Sequence, residues 1–162
     1  MNSVKKIAML MFIALPSVVY AGEAQVKWHD FNDYRDARPS NQTKGSYHKQ
    51  IAKSIDEHFA KLSEQLPKNY TLKIEVTDLD LAGDVRYGGV NEIRVVEPIH
   101  FPRIKFNYVL SNESEVISSE DNVSLKDMSF MDKIKRGREE AFHYEKRLLT
   151  EWFDEQVLTK LD

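Results

Sequence analysis

The sequence predicts an α+β fold: a two-layer sandwich with two long helices on one face of a mostly antiparallel sheet of four to five strands. Three observations predict it. Segments 46–66 and 139–158 place apolar residues at helical spacing, and the region between them alternates apolar with polar residues in short runs. Each helix has a single apolar face that must be buried, and one face of a shared sheet can bury both. The 162 residues, 41% of them hydrophobic and 30% charged, are typical of one globular domain.

The amino-terminal segment, residues 1–21, predicts a cleavable signal peptide. Lys5 and Lys6 precede an apolar run, and Val19-Tyr20-Ala21 forms a cleavage site for signal peptidase. The run is shorter than the roughly 20 apolar residues that span a membrane. We therefore expect an exported chain that starts at Gly22, with no membrane insertion after cleavage. Because the sequence has no cysteine, it predicts neither disulfides nor a lipoprotein anchor.

The mature chain, residues 22–162, is predicted to be one α+β domain whose first residues, 22–45, form a loosely ordered arm containing a short strand at 26–31. Segment 32–44 is polar and predicts a loop. A helix follows at 46–66 and ends before Pro67. Its apolar stripe consists of Tyr47, Ile51, Ile55, Phe59, Leu62 and Leu66.

Strands are predicted at 70–77, 92–96 and 101–110, with a short pairing arm at 116–118. Segment 78–89 contains three glycines and predicts a loop. A short helix at 128–135 and a break at Gly137 precede the last helix.

Basic side chains are predicted on the outward face of the sheet, the face away from the helices. They are Lys73, Arg94, Arg103 and Lys105. A basic patch on a chain with a net charge of −3 suits a carboxylate, a phosphate or an acidic partner segment. The alternative is a solvated face with cross-strand ion pairs, for example from Glu75 to Arg94 or Arg103.

Two aspartates, Asp78 and Asp80, begin a segment that resembles the start of a calcium-binding EF-hand loop, with Gly83 at the sixth position. Ala82 and Gly89 occupy positions where that loop needs oxygen ligands. We therefore expect the aspartates to cap a turn and predict no metal site.

Motifs for catalysis or cofactors are absent from the sequence. The five histidines have no zinc-site spacing, and there is no G-x-S-x-G, no dinucleotide-binding glycine motif and no P-loop. No cofactor is predicted. The small negative net charge also excludes a protein that works mainly by neutralising nucleic-acid phosphates.

Glu145 falls at the centre of the apolar stripe of the last helix, and His58 falls within the stripe of the first. A buried acid and base can form a catalytic pair, since burial shifts both pKa values. The other interpretation is a structural anchor in which Glu145 bonds to His58, Arg94 or Arg103, and we favour it.

Three segments carry a resemblance to a known family: Thr77–Gly83, Pro102–Ile104, and Tyr144–Lys146 followed by Trp152-Phe153. Together they resemble an exported proteobacterial family classed only as a domain of unknown function. The resemblance implies a Gram-negative periplasmic protein and implies no activity.

The sequence therefore predicts a non-enzymatic binding or interaction module that uses the open sheet face or the 78–89 loop. The expected partner is an unknown periplasmic protein or an anionic small ligand, and not nucleic acid. The alternative is a small hydrolase or metal-dependent enzyme using Asp78, Asp80 and Glu145.

Overall fold

The computed structural model describes residues 21–132 and 140–161 and shows a mixed α+β fold, as predicted. The predicted signal peptide lies outside the described residues, apart from Ala21. The elements in chain order are β1 (Glu23–Trp28), α1 (Lys44–Ser63), β2 (Thr71–Asp80), β3 (Asp84–Gly88), β4 (Asn91–Val95), β5 (Arg103–Ser111), β6 (Val116–Lys126) and α2 (His143–Trp152). Helix α2 continues into a π-helical turn, Phe153–Val157, and a 3-10 turn, Leu158–Lys160.

The strands form two sheets. The larger has four strands in the order β1-β2-β5-β6, and the smaller contains only β3 and β4. Strands β2, β5 and β6 pair antiparallel. Strand β1 pairs parallel to β2, because α1 connects them and brings the chain back to the end of the sheet at which β1 began. The sheet is thus mixed rather than wholly antiparallel.

The prediction that residues 78–89 form a loop is wrong. Strand β2 continues to Asp80, and most of the remaining segment forms β3, which pairs with β4 as a hairpin. Gly89 and Val90 form its two-residue turn, and Gly89 has a φ of +85°, which glycine adopts without strain. The predicted arm at 116–118 is the start of the much longer β6.

The core is one cluster of buried side chains from α1, α2 and the larger sheet. Ile51, Ile55, Phe59 and Leu62 of α1 are buried, which confirms most of the predicted stripe. They join one cluster with side chains from β2, β5, β6 and α2, which include Leu72, Ile74, Val76, Ile104, Phe106, Tyr108, Val123, Leu149 and Trp152. Burying each large apolar side chain contributes about 1.5–3 kcal/mol.

A β-bulge in β2 decides which side chains reach the outward face. The pairing with β5 shifts between Val76 and Asp78, so that Asp78 lies opposite Lys105 and Asp80 lies opposite Arg103. Because side chains alternate along a strand, an unbroken register would turn both aspartates toward the core. The bulge therefore places these carboxylates beside the cations of β5.

The segment before α1 is packed rather than loose. Tyr34 and Ala37 are buried, and the Tyr34 hydroxyl donates to the Val76 carbonyl at 2.9 Å. Asp36 forms an isolated parallel bridge with Asp80. The segment therefore lies along the end of β2.

Helix α2 begins at His143, four residues after the predicted start at Glu139, which lies outside the described residues together with Gly137. Of the predicted helix at 128–135, residues 128–132 form turns and the rest is not described. Within the described ranges, the helices are too short or too polar to cross a membrane.

Candidate functional site

The three segments that carry the family resemblance lie together at the carboxyl end of β2. Asp80 Oδ2 lies 3.7 Å from Arg103 Nη1, which joins the first segment to the second. The amide of Ala82 donates to Glu145 Oε1 at 2.7 Å, which joins the first to the third. We call this place the sheet end; it contains the contacts that join the three segments.

Arg94 holds the sheet end together, although its strand is not part of the larger sheet. Its guanidinium donates to both oxygens of Asp36, at 2.8 and 3.3 Å, and to the carbonyls of Gly83 and Arg38, at 2.9 and 2.7 Å. The prediction that Arg94 shares the outward face is wrong because β4 pairs only with β3. Gly83 permits the close approach: its φ is +83°, and a Cβ there would lie 2.5 Å from the Val95 carbonyl oxygen.

Glu145 is almost fully buried, with 3% of its surface exposed, as its position in the helix stripe predicts. Burial raises the pKa of the Glu145 carboxyl, while the Ala82 amide and the charge of Arg94 act in the opposite direction. The predicted bonds from Glu145 to His58 or to an arginine are absent among the described residues. Glu145 bonds instead to the backbone that follows β2.

His58 ties the two helices together through a different contact. Its Nε2 lies 2.9 Å from Thr150 Oγ1 on α2, and that hydroxyl donates to the Lys146 carbonyl. Burial lowers the pKa of His58, which favours the neutral ring. The arrangement is that of a helix-to-helix bond, and it does not bring His58 to Glu145.

A polar cavity of about 500 Å³ opens beside the sheet end. We call it the sheet-end cavity. Its charged and polar walls are formed by Asn32, Arg35, Asp36, Arg38, Lys44, His48, Asp80, Asp84, His100 and Arg103. Four of these are arginine or lysine and three are aspartate, and Asp36 is already neutralised by Arg94. The cavity therefore has a surplus of positive charge.

The arginines near Asp80 hold it only loosely. Arg35 Nε lies 3.9 Å and Arg103 Nη1 lies 3.7 Å from Asp80 Oδ2, longer than hydrogen bonds. Burial raises the pKa of Asp80, with Arg103 the largest opposing influence. Their guanidinium groups thus keep donor capacity for another acceptor.

The outward face of the sheet holds the other predicted binding residues. Lys73 is exposed, and Lys105 Nζ lies 3.6 Å from Asp78 Oδ2. Glu75 accepts from Lys27 at 2.6 Å and from Asn107 at 3.3 Å and lies 3.1 Å from His29, so its partners are not the predicted arginines. Most charges on this face are paired with a neighbour.

A metal site does not emerge from the described ranges, which contain no cluster of three or more histidine, aspartate or glutamate side chains able to hold an ion. Asp78 accepts from the Arg35 amide at 3.0 Å, whereas Glu145 bonds to Ala82. The acids that the enzyme alternative requires are therefore committed to separate partners.

Sequence reasoning missed Arg35, Asp36, Arg38 and Lys44, because they fall in the segment predicted to be a loose arm. The apolar residues Phe31, Tyr34 and Ala37 recur every three positions within this polar segment, which is a signal of packing. His48, one turn into α1, stacks on the Phe31 ring with centroids 4.8 Å apart.

Comparison with known proteins gives one match. A family model described as protein of unknown function, DUF3016, matches residues 22–155. No curated protein and no solved structure matches the chain. The matched range covers most of the chain and contains the whole sheet end, and the chain belongs to the DUF3016 family.

Proposed function

We propose that this chain is an exported periplasmic binding protein, without catalytic activity, whose sheet-end cavity binds an anionic group. In this proposal the two helices form a second layer over one face of the sheet and leave its other face and its end accessible. The observation that carries the proposal is the surplus of positive charge around a concave polar cavity of about 500 Å³. Small-molecule sites are concave and use a few convergent polar groups.

Planar guanidinium groups are suited to carboxylate and phosphate because they donate two parallel hydrogen bonds. Arg35 and Arg103 both line the cavity beside Asp80, and their contacts with Asp80 are long enough for an anion to compete for their donors. Lys44 is the first residue of α1, so the amino-terminal turn of that helix borders the same cavity. Helix amino termini favour anions through their unpaired amides and dipole.

The outward face offers a weaker site for the same ligand. Its depression of about 490 Å³ is bordered by two lysines, Lys27 and Lys73, and two acids, Glu75 and Asp121, so it has no surplus of positive charge. Lys27 lies against Glu75, and nearby Lys105 lies against Asp78. An anion there would displace existing partners in full solvent, where ion pairs contribute little. The two sites contain different residues, so substitutions can separate them.

The test is calorimetric titration with citrate and with inorganic phosphate at low ionic strength. We expect wild-type protein to bind at least one of these anions, and Arg35→Ala with Lys44→Ala to weaken binding at least tenfold. The matched control, Lys73→Ala with Lys105→Ala, removes two positive charges from the outward face and should bind normally. Loss of binding only in the control would place the site on the outward face. No binding of either anion to wild-type protein would refute an anion site.

Export is tested separately by the intact mass of the protein recovered from the periplasm. A chain beginning at Gly22 is expected from the Val19-Tyr20-Ala21 sequence. A cytoplasmic protein that retains residues 1–21 would contradict it.

A further inference from the structure

A second cavity lies on the other side of Arg94, between the start of α1, the backbone after β2 and the start of α2. We call it the helix-start cavity. Its volume is about 470 Å³, and its walls include Tyr47, Leu81, Arg94, Phe142, Tyr144 and Glu145. The two cavities share no lining residue. Arg94 lines the helix-start cavity and bonds to Asp36, Gly83 and Arg38 of the sheet-end cavity.

Aromatic rings form much of the wall. The Tyr47 and Phe142 rings lie 5.9 Å apart with an angle of 59° between their planes, and Tyr144 and Met131 also line the cavity. Rings of this kind attract cations through the negative charge of their faces.

Glu145 supplies a negative charge that Arg94 influences from the same cavity wall without forming an ion pair with it. Arg94 is bound to Asp36, and Lys146 is bound to Glu140 at 3.3 Å. Among the described residues, no cation forms an ion pair with Glu145, and its only hydrogen bond to another residue is the one from the Ala82 amide. Burial disfavours this charge, as the raised pKa of the carboxyl indicates. A ligand with a positive charge would compensate it.

Phe142 is held in the cavity wall at a backbone cost. Its φ of +58° lies in the left-handed region, which a bulky residue rarely adopts because the Cβ approaches the following carbonyl oxygen. Asparagine or glycine would fit this position with less strain. Strained positions cluster at binding sites, and this one places an aromatic ring next to Tyr47 and Glu145.

We propose that the helix-start cavity binds a small organic cation, an ammonium group with an apolar body, whose charge lies against Glu145 and whose body lies against the Tyr47 and Phe142 rings. This site is independent of the anion site, since neither Glu145 nor the two rings line the sheet-end cavity.

The test uses two probes of nearly the same shape, phenethylamine, which is cationic at neutral pH, and 2-phenylethanol, which is neutral. Calorimetric titration of the wild-type protein should show phenethylamine binding at least tenfold more tightly. Glu145→Gln keeps an oxygen that accepts from the Ala82 amide and removes the charge, so it should remove this preference. Glu151→Gln makes the same change at a more exposed position of α2 and should leave the preference intact.

Thermal unfolding of each variant shows whether it is folded. If Glu145→Gln does not fold, Phe142→Asn takes its place, because asparagine tolerates the backbone conformation but lacks the ring. That variant should bind phenethylamine at least fivefold more weakly than wild-type protein does. Equal binding of both probes to wild-type protein, binding of neither, or a preference that survives the loss of the charge or the ring would overturn the proposal.

Discussion

Two glutamates in different regions of this molecule have pKa values that are shifted in opposite directions. On the outward face, Glu75 is one third exposed, and hydrogen bonds from Lys27, His29 and Asn107 lower its pKa to about 2. At the sheet end, Glu145 is buried with one backbone donor from another residue, and its pKa is raised. On the exposed outward face, neighbouring donors thus favour the charged form of Glu75. At the sheet end, burial disfavours the charged form of Glu145.

The difference also decides how much each region contributes to stability. Exposed ion pairs contribute little because water competes for both partners. Removing one member of a buried pair is costly because the other remains buried without a partner.

The largest loss is expected for Arg94→Ala. The substitution removes the cation that pairs with Asp36, which keeps only the Arg38 amide as a donor, and it removes the guanidinium donor to the Gly83 and Arg38 carbonyls. We expect the free energy of unfolding to fall by about 3–5 kcal/mol. The control is Arg86→Ala on the same hairpin, where the arginine side chain is 47% exposed and bonds to Glu97. Urea unfolding midpoints measure both variants. Similar losses of stability in the two would show that the hydrogen bonds of Arg94 do not stabilise the sheet end.

Glu145→Ala should rank second, with a loss of about 2–4 kcal/mol, because it strands the buried Ala82 amide and leaves a cavity. Glu151→Ala, at a side chain that is 40% exposed, should change stability by less than about 0.5 kcal/mol. Equal small losses in urea unfolding would mean that Glu145 does not anchor α2.

The pH dependence of Glu145 has a definite sign. Because its folded pKa is raised, its stabilising contribution is complete below the unfolded value near 4.5 and is lost as pH rises through the folded pKa. The charged groups that influence it most are Arg94 and Asp80. The stability advantage of wild-type protein over Glu145→Gln should therefore shrink between pH 4 and pH 7. An advantage that grows over this range would contradict the assignment.

A smaller effect is expected at the bond between the helices. Thr150→Val removes the hydroxyl that His58 contacts and should cost about 1 kcal/mol. Since burial lowers the pKa of His58, its contribution is present above the unfolded value near 6.5 and is lost as pH falls toward the folded pKa. A double-mutant cycle with His58→Ala measures the coupling energy between the two side chains. A coupling energy of zero would mean that their contact does not contribute to stability.

The smallest effect on stability belongs to Lys27→Ala on the outward face. The lysine bond is the largest influence on Glu75, so its removal should raise the pKa of Glu75 toward 4.5 while the unfolding midpoint stays nearly unchanged. Carboxyl chemical shifts in a pH titration measure the change. An unaltered Glu75 pKa would mean that the hydrogen bonds from His29 and Asn107 are enough to keep it low.

Local periodicity was enough to predict α1, β2, β5 and the burial of Glu145, because the spacing of apolar residues decides which side faces the core. It did not predict the partner of Glu145, because the Ala82 amide approaches from a distant segment. Nor did it predict the bulge after Val76, which turns Asp78 and Asp80 outward. Arg94 was misplaced because β4 pairs with its neighbour β3, and alternation within a strand does not reveal which strand lies beside it.

The parallel pairing of β1 with β2 has a consequence for the order of folding. Glu23 pairs with Thr71, 48 residues further along the chain, so this contact closes only after all of α1 has been made. The antiparallel contact of β5 with β6 closes across a short turn and favours early formation. At about 5–20 residues per second of synthesis, β1 has no strand to pair with for roughly 2–10 s. When the full-length chain refolds, by contrast, β1 is expected to enter the sheet after β5 and β6 have paired, because their contact closes the shorter loop.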